Sequence, residues 1–470
     1  MSDQPTSTLW WSTLGRVVIV VVIAAVSAIM VARIIGVRLE VDGSGMRPML
    51  SRFDEGAHFD ALESNRAAQP TSVATTAPPP PIDRHPEAFW PAYRGATRTG
   101  HYDHNIRTDW PDDGLPRLWQ QPIGGGYASF AVAEGRLFTI EQRRDSEVVA
   151  AYDPDSGVEL WSQHWTERFQ ETMGGDGPRA TPTWDNGRLF ALGASGELQS
   201  LAADTGRQLW RTNILADAGA GNLTWAMSAS PLVVDNQVIV LPGGKDGRSV
   251  VAYDADTGAV LWSTLDDVAG YTAPMLVELA GVRQILVVTA ARAAGLRVED
   301  GALLWDYPWI VSNVPNMAQP IIVGSDRVFL SASYGQGSAM VEVSRTGTEL
   351  SAREVWRTNR MKNKFSSSVL HDGHIYGLDE SILACLDVET GELVWKGGRY
   401  GYGQLLLADG HLVVLTERGD LVLVRATPDG HDEVASFAAL DGKTWNVPTI
   451  ADGRLFVRNT TEMAAFNISP

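Results

Sequence analysis

The chain is 470 residues long with 38 basic and 56 acidic residues, a net charge of −18. A body of that charge repels phosphate backbones, which argues against nucleic acid as a partner. Cys385 is the sole cysteine, so no intrachain disulfide can form; in the apolar run 382–386 it reads as a small core residue and not a nucleophile.

Residues 1–16 form a short tail. Val17–Val37 is the one membrane candidate. Up to Ala32 only Ser27 is polar, and with Arg33 snorkelling the stretch is long enough for a hydrocarbon core of about 30 Å. Asp3, a tail without Lys and a long apolar core favour an uncleaved anchor over a signal peptide. Arg16 precedes the span and Arg33, Arg38, Arg47 and Arg52 follow it, a balance that favours a cytoplasmic body. Residues 38–67 are a juxtamembrane segment, with a weak helix expected over 51–67 carrying Phe53, Ala57 and Leu62 on one side. Residues 68–86, with Pro78–Pro81, read as an extended linker that holds the body away from the bilayer. Residues 87–117 read as a lead-in over the body, with Trp90/Tyr93 and Trp110/Pro111 packed on one face.

From 118 to 470 the chain repeats. An apolar pair, an acidic turn with Gly and then an apolar residue with Trp recur, as in Ala151–Trp161 and Leu201–Trp210. Asp, Thr and Gly supply a tight reversal, so each copy predicts a β-hairpin. Trp119, Trp161, Trp210, Trp262, Trp305, Trp356 and Trp395 follow one another at 39 to 52 residues, and Phe437 stands as a degenerate eighth. Each large indole is expected to dock against the next unit. A second marker, a polar turn before an apolar strand as in Gly187-Arg188-Leu189-Phe190, also occurs eight times. The expected fold is therefore all-β: an eight-bladed β-propeller of four-stranded blades over 118–470, behind a transmembrane helix and a Pro-rich linker. The strand around 118–120 is expected to complete the last blade.

The form Asp-x-x-Thr-Gly-x-x-x-Trp, seen at Asp254–Trp262, resembles the tryptophan-docking motif of pyrroloquinoline-quinone (PQQ) type propellers. That superfamily includes quinoprotein alcohol dehydrogenases and the BamB lipoprotein, a scaffold of outer-membrane barrel assembly. Trp90-Pro91-Ala92-Tyr93-Arg94-Gly95 is similar to the start of a large bacterial group of PQQ-like repeat proteins. The resemblance implies an exported propeller, against the charge balance around 17–37.

In a propeller the innermost strand of each blade starts at the central channel. Three residues before these starts stand Tyr127, Arg179, Ser228, Tyr271, Met317, Phe365, Tyr402 and Trp445, with Lys364 beside Phe365. Two readings stay open: a funnel for a flat or anionic ligand or an extended peptide, with Arg179 gripping a carboxylate through two bonds, or rings that merely pack the channel end. Gly174-Gly175-Asp176-Gly177 precedes no helical pattern and reads as a connecting turn, not a phosphate loop. In quinoprotein dehydrogenases, the resemblance implies, the cofactor stacks on Trp beneath a vicinal disulfide and chelates calcium through Glu, Asn and Asp. Trp445 or Trp225 offers a stacking face, but the disulfide is impossible here and no such ligand set recurs. His101/His104 and His371/His374 lack further ligands at metal spacing, and Asp153-x-Asp155-x-Gly157 is a turn, not a calcium loop.

The reading is a membrane-anchored, extracytoplasmic, monomeric propeller serving as a BamB-like binding or scaffold module in the cell envelope. Envelope proteins are its expected partners and the bilayer is met through 17–37. No cofactor or metal is expected. The candidate surface is the loops 171–179, 219–227, 266–271, 311–317 and 357–365. The alternative is a PQQ- and calcium-dependent alcohol or sugar oxidoreductase.

Overall fold

The apolar runs around each Asp–Gly turn form strands whose burial follows their place in a sheet. In the first repeat Arg136–Arg143 and Ser146–Tyr152 are buried almost throughout, whereas Glu159–Thr166 alternates between half-buried and exposed. The middle strands lie between neighbouring sheets and the last borders solvent. The computed structural model describes residues 16–21, 23, 24, 27, 37–69, 89–312 and 314–470. The chain forms two compact units, 1–61 and 62–470.

In the first unit Val37–Val41 and Pro48–Arg52 pair as an antiparallel hairpin that the sequence reading missed. Asp42 Oδ1 caps its turn, accepting from Ser44 N at 3.0 Å. A helix, Glu55–Ala68, starts there behind Asp54, whose Oδ1 accepts from Ala57 N at 3.0 Å, and its residues from Leu62 on belong to the second unit. Phe59 and Leu62 are its buried residues; Ala57, expected beside Leu62, is exposed. Most of Val17–Val37 lies outside the described residues. Among those described, no helix is long and apolar enough to cross a membrane.

The second unit carries eight sheets. Blades 1 to 7 cover 131–166, 183–213, 232–264, 275–308, 321–358, 369–399 and 404–438. Blade 8 joins Thr449–Ala451, Arg454–Arg458 and Glu462–Asn467 to Arg117–Pro122, with Trp119 opposite Ala465. The strand expected to close the ring does so. In every blade the register between third and fourth strands shifts by one residue, as at Ala252/Tyr253. In blade 3 this bulge leaves Leu261 unpaired and exposed, just before Trp262.

After the bulge the indoles reach forward. Trp119, Trp161, Trp210, Trp262 and Trp356 each cover the hairpin glycine of the following blade, Gly157, Gly206, Gly258, Gly301 and Gly391, where any Cβ would collide with the ring. Trp119, Trp161, Trp210, Trp356 and Trp395 donate Nε1–H to backbone carbonyls there, at 2.9 to 3.2 Å. Trp262 and Trp305 turn to Gln237 and Gln284 of their own blades, at 2.7 and 2.5 Å. Phe437 covers Gly114 instead, a glycine that the lead-in supplies where blade 8 has no hairpin of its own.

The lead-in does more than lie over the ring. Trp90 exchanges backbone hydrogen bonds with Val132 of blade 1, and Pro91 O accepts from Trp184 N of blade 2 at 2.8 Å. The chain then turns, and His101–Tyr102 pairs in parallel with Leu407 and Ala408 on the innermost strand of blade 7 as a fifth strand. Between these anchors Arg94 and Arg98 enter the ring of innermost strands, 1 % and 2 % exposed. Arg94 donates to Leu405 O at 3.0 Å and Ser368 O at 3.2 Å. Arg98 donates to Ser230 O at 2.9 Å, to Thr183 Oγ1 at 3.3 Å and to Pro231 O. Five blades are thus tied to one short segment. Burial lowers both guanidinium pKa values, that of Arg98 to about 9. A Cβ on Gly100 would strike the Arg94 guanidinium, which is why glycine stands there.

Most of the expected linker lies outside the described residues, which stop at Gln69 and resume at Phe89. Both flanks rest on the propeller. Gln69 Oε1 accepts from Glu159 N at 3.0 Å, and Phe89 meets Trp184 edge-on at 5.6 Å. The last turns of the helix are clamped nearby: Arg66 reaches Glu159 at 2.5 Å and the Tyr152 hydroxyl at 2.9 Å. Beneath them burial would raise the Glu141 pKa, but Arg143, Arg66, Arg458 and the Tyr152 hydroxyl outweigh it and hold it at about 2.

Candidate functional site: the channel mouth

The mouth residues sit on loops that end in the innermost strands, so the ring of blades sets their spacing. Four of them meet as a row of tilted rings. Tyr127 and Trp445 lie 5.4 Å apart by ring centroids, Trp445 and Phe365 4.7 Å, and Phe365 and Tyr402 6.0 Å. Two carboxylates fix this row. Glu417 accepts from Trp445 Nε1 at 3.0 Å and from Tyr402 N at 3.2 Å, and Glu380 accepts from the Tyr402 hydroxyl at 3.1 Å. Tyr271 stands apart from the row and packs on Trp225 at 5.9 Å, its hydroxyl accepting from Trp225 N at 3.2 Å. Ser228 and Met317, at the equivalent places, are half-buried.

Arg179 is not arranged as the sequence suggested. Its Nη1 donates to Gly177 O at 2.7 Å and its Nη2 to Gly175 O at 2.8 Å. The fork expected to grip a carboxylate instead staples the 174–177 loop, and the guanidinium lies over Tyr127 and Phe169. Burial lowers its pKa, while Tyr127 and the carboxylates of Glu171 and Asp176 pull the other way. Gly177 closes against the backbone of Gly125, with φ of 87°. Phe169, Tyr334 and Lys443 join the mouth without having been singled out. Lys443 was legible only as a cation two positions before Trp445.

The two faces of the ring differ in chemistry. On the face opposite the mouth, the turns before the second strands are cross-linked between blades: Arg283 to Asp235 at 2.5 Å, Arg327 to Glu389 at 2.7 Å, and Arg188 to Asp256 and Arg454 to Asp155 at shorter range. On the mouth face the loops expose Met173, Val268, Ile310 and Tyr334, at 39 to 64 %. Exposed apolar side chains also stand at the starts of the fourth strands, Leu118, Val260, Leu261 and Leu303 among them.

The site does not suit a calcium-chelated quinone. Among the described residues no three His, Cys, Asp or Glu side chains stand together as a metal site. Glu380 and Glu417 are engaged by ring hydroxyl and indole groups, and Cys385 is buried in a strand. His371 and His374 each lie against Asp372, at 3.4 and 2.8 Å.

A cleft of about 360 Å³ lies between blades 1 and 2, lined by Trp165, Glu167, Ser195, Glu197 and Arg211 among others. Close by, Glu147 is wholly buried, with one oxygen accepting from Ala194 N at 2.9 Å and the other without a partner. Burial raises its pKa to about 8, helped by Glu167 and Glu197 and opposed by the Ala194 bond. The folded protein therefore keeps a proton that the unfolded chain releases. Stability is expected to fall as pH rises from the ordinary carboxylate range to about 8, and then to level off. Glu147→Gln should flatten that slope and raise the melting temperature at pH 8, as thermal melts across pH 4–9 will read; an unchanged slope contradicts the assignment.

The family model described as "Outer membrane protein assembly factor BamB" matches residues 111–211 and 144–397. Outer membrane protein assembly factor BamB of Moranella endobia is 28 % identical over 264 residues, 53 % of this chain and 64 % of its own length, so less than two thirds of that protein is spanned. The BamB of Yersinia pestis is 26 % identical over 309 residues, 62 % of this chain and 75 % of its own length. Among solved structures, quinohemoprotein alcohol dehydrogenase from Comamonas testosteroni aligns with a TM-score of 0.59 at 13 % identity, over 88 % of this chain and 84 % of that one. That likeness is one of fold alone.

Proposed function

The chain belongs to the family described as outer membrane protein assembly factor BamB, and we propose that its propeller is a binding and scaffold module of a cell-envelope assembly. The observation that carries this reading is the aromatic row at the channel mouth, Tyr127, Trp445, Phe365 and Tyr402, on loops whose face also exposes Met173, Val268, Ile310 and Tyr334. Partner proteins of the envelope dock on the mouth through the loops 171–179, 219–227, 266–271, 311–317 and 357–365. Residues 17–37 anchor the chain in the bilayer with the propeller outside the cytoplasm, and the ring acts as a monomer. The seven indoles Trp119, Trp161, Trp210, Trp262, Trp305, Trp356 and Trp395 are structural docking residues. No cofactor takes part.

Affinity capture from envelope extracts tests the reading. The full chain is expected to retain a defined envelope protein, to lose it on Tyr271→Ala or Phe365→Ala, and to keep it on Asp256→Ala at the opposite face. Equal retention by all three variants contradicts it. So does saturable uptake of PQQ and calcium with dye reduction by alcohols or sugars, the result expected of an oxidoreductase.

A further inference from the structure

The joint between blades 1 and 2 has a chemistry of its own, whether or not the mouth docks a partner. In blade 1 Glu147 stands opposite Trp165; in blade 2 Glu197 stands opposite Asn213 and Gln199 opposite Arg211. Residues opposite one another in an antiparallel pair point to the same side of the sheet. Trp165, Glu197, Arg211 and Asn213 line the cleft of about 360 Å³ between these blades, so Glu147 and Gln199 point to the side on which the cleft lies. Glu147 crosses to blade 2. One of its oxygens accepts from Ala194 N at 2.9 Å, and a Cβ on Gly193 would strike the other oxygen and the Trp165 ring. The backbone of Gly193 is not in the left-handed region that calls for glycine; its missing side chain makes the room that the carboxyl fills.

Polar groups are left over in this joint. Glu147 and Gln199 are 0 % exposed, yet Glu147 Oε2, both amide atoms of Gln199 and Trp165 Nε1 have no hydrogen-bond partner among the described residues. Buried polar atoms are nearly always paired, so four orphans at one joint point to a missing occupant. The nearby carboxylates are engaged: Glu167 accepts from Ser195 Oγ at 3.0 Å, and Glu197 lies 3.7 Å from Arg211. The charges that bear on Glu147 are Glu167 and Glu197, which raise its pKa, and Arg179, which lowers it. With Arg211 and an ionised Glu147 the joint holds three carboxylates against two guanidiniums, one negative charge too many for a poorly hydrated place. A proton on Glu147 cancels that charge in the empty protein. A bound cation cancels it too, and gives the orphaned oxygens a donor.

We propose that this joint binds an alkylammonium group, with N–H donors toward Glu147 Oε2 and Gln199 Oε1 and the alkyl stem along the Trp165 indole. An ammonium carries three donors and no acceptor, and an indole face attracts a cation while its ring covers an apolar stem. Among the described residues no three His, Cys, Asp or Glu side chains stand together here as a metal site, which favours an organic cation over a metal ion. Binding exchanges one positive charge for another: the Glu147 proton leaves to solvent as the ammonium enters. A free amine and a lysine side chain of a partner present the same chemistry, and two probes tell them apart.

Saturation-transfer NMR on the full chain at pH 8 tests the proposal, with n-pentylammonium as the probe and n-pentanol as its neutral control. Pentylammonium should bind saturably, and pentanol at least about fivefold more weakly. Glu147→Gln should weaken pentylammonium by roughly tenfold in a protein whose melting temperature is not lowered, and Gln199→Leu by about threefold. Competition by acetyl-Gly-Lys-Gly-amide assigns the ammonium to a partner's lysine; binding of pentylammonium without such competition assigns it to a free amine. No saturable binding, equal binding of pentanol, indifference to Glu147→Gln in folded protein, or displacement of pentylammonium by an equal concentration of calcium overturns the proposal.

Discussion

Arg98→Ala is expected to destabilise the propeller by about 2–4 kcal/mol, the largest effect of any single polar side chain in the channel. The guanidinium is 2 % exposed and serves Ser230 O, Pro231 O and Thr183 Oγ1. Removing it strands acceptors in a place water reaches poorly, at roughly 1–3 kcal/mol for each one left unmade. Relief of the buried charge returns part of that, since burial already depresses the Arg98 pKa. Arg98→Met separates the terms. It keeps most of the volume and removes the donors, so a loss close to that of Ala assigns the effect to hydrogen bonding. Both variants should also expose the 90–102 segment to limited proteolysis, because the lead-in is held at this point. Denaturant midpoints and cleavage patterns equal to those of the parent would mean the segment is not what joins these blades.

The second large effect is expected at the blade junctions. Trp210→Ala should cost about 3–5 kcal/mol. The indole is 9 % exposed, donates to Ala255 O at 2.9 Å, and covers Gly258. Gly258→Ala attacks the same junction from the other side, through collision with the ring and through a φ of 73°. Gly281 provides the control: it has a similar φ of 70° with nothing within reach of a Cβ, so Gly281→Ala should show only the backbone cost of about 1–2 kcal/mol. In a double-mutant cycle Trp210→Ala and Gly258→Ala should be less than additive by about 1 kcal/mol or more. Strict additivity would mean that ring and glycine do not form one joint.

The number of blades and the closing strand were legible because the repeat stores them in local chemistry. A turn that needs Asp and Gly, followed at fixed distance by Trp, looks the same in any context. Gly114 beneath Phe437 extends that logic to the one blade without its own hairpin. The insertion of the lead-in was not legible, since Arg94 and Arg98 bind backbone carbonyls, and every residue carries a carbonyl. The same blindness misdirected the reading of Arg179, whose partners are Gly175 O and Gly177 O. The Arg66 clamp joins residues some ninety positions apart, beyond any periodic signal. At the mouth the aromatic positions could be read from the blade starts. The carboxylates beneath them, Glu380 and Glu417, lie on turns between second and third strands, which carry no motif.

The most direct measurement is site-specific photo-crosslinking in cells, with the photoreactive residue at Phe365 or Tyr271 on the mouth and at Asp256 on the opposite face. The account predicts a discrete adduct with an envelope protein from the two mouth positions and none from Asp256. Adducts from Asp256 with none from the mouth would contradict it.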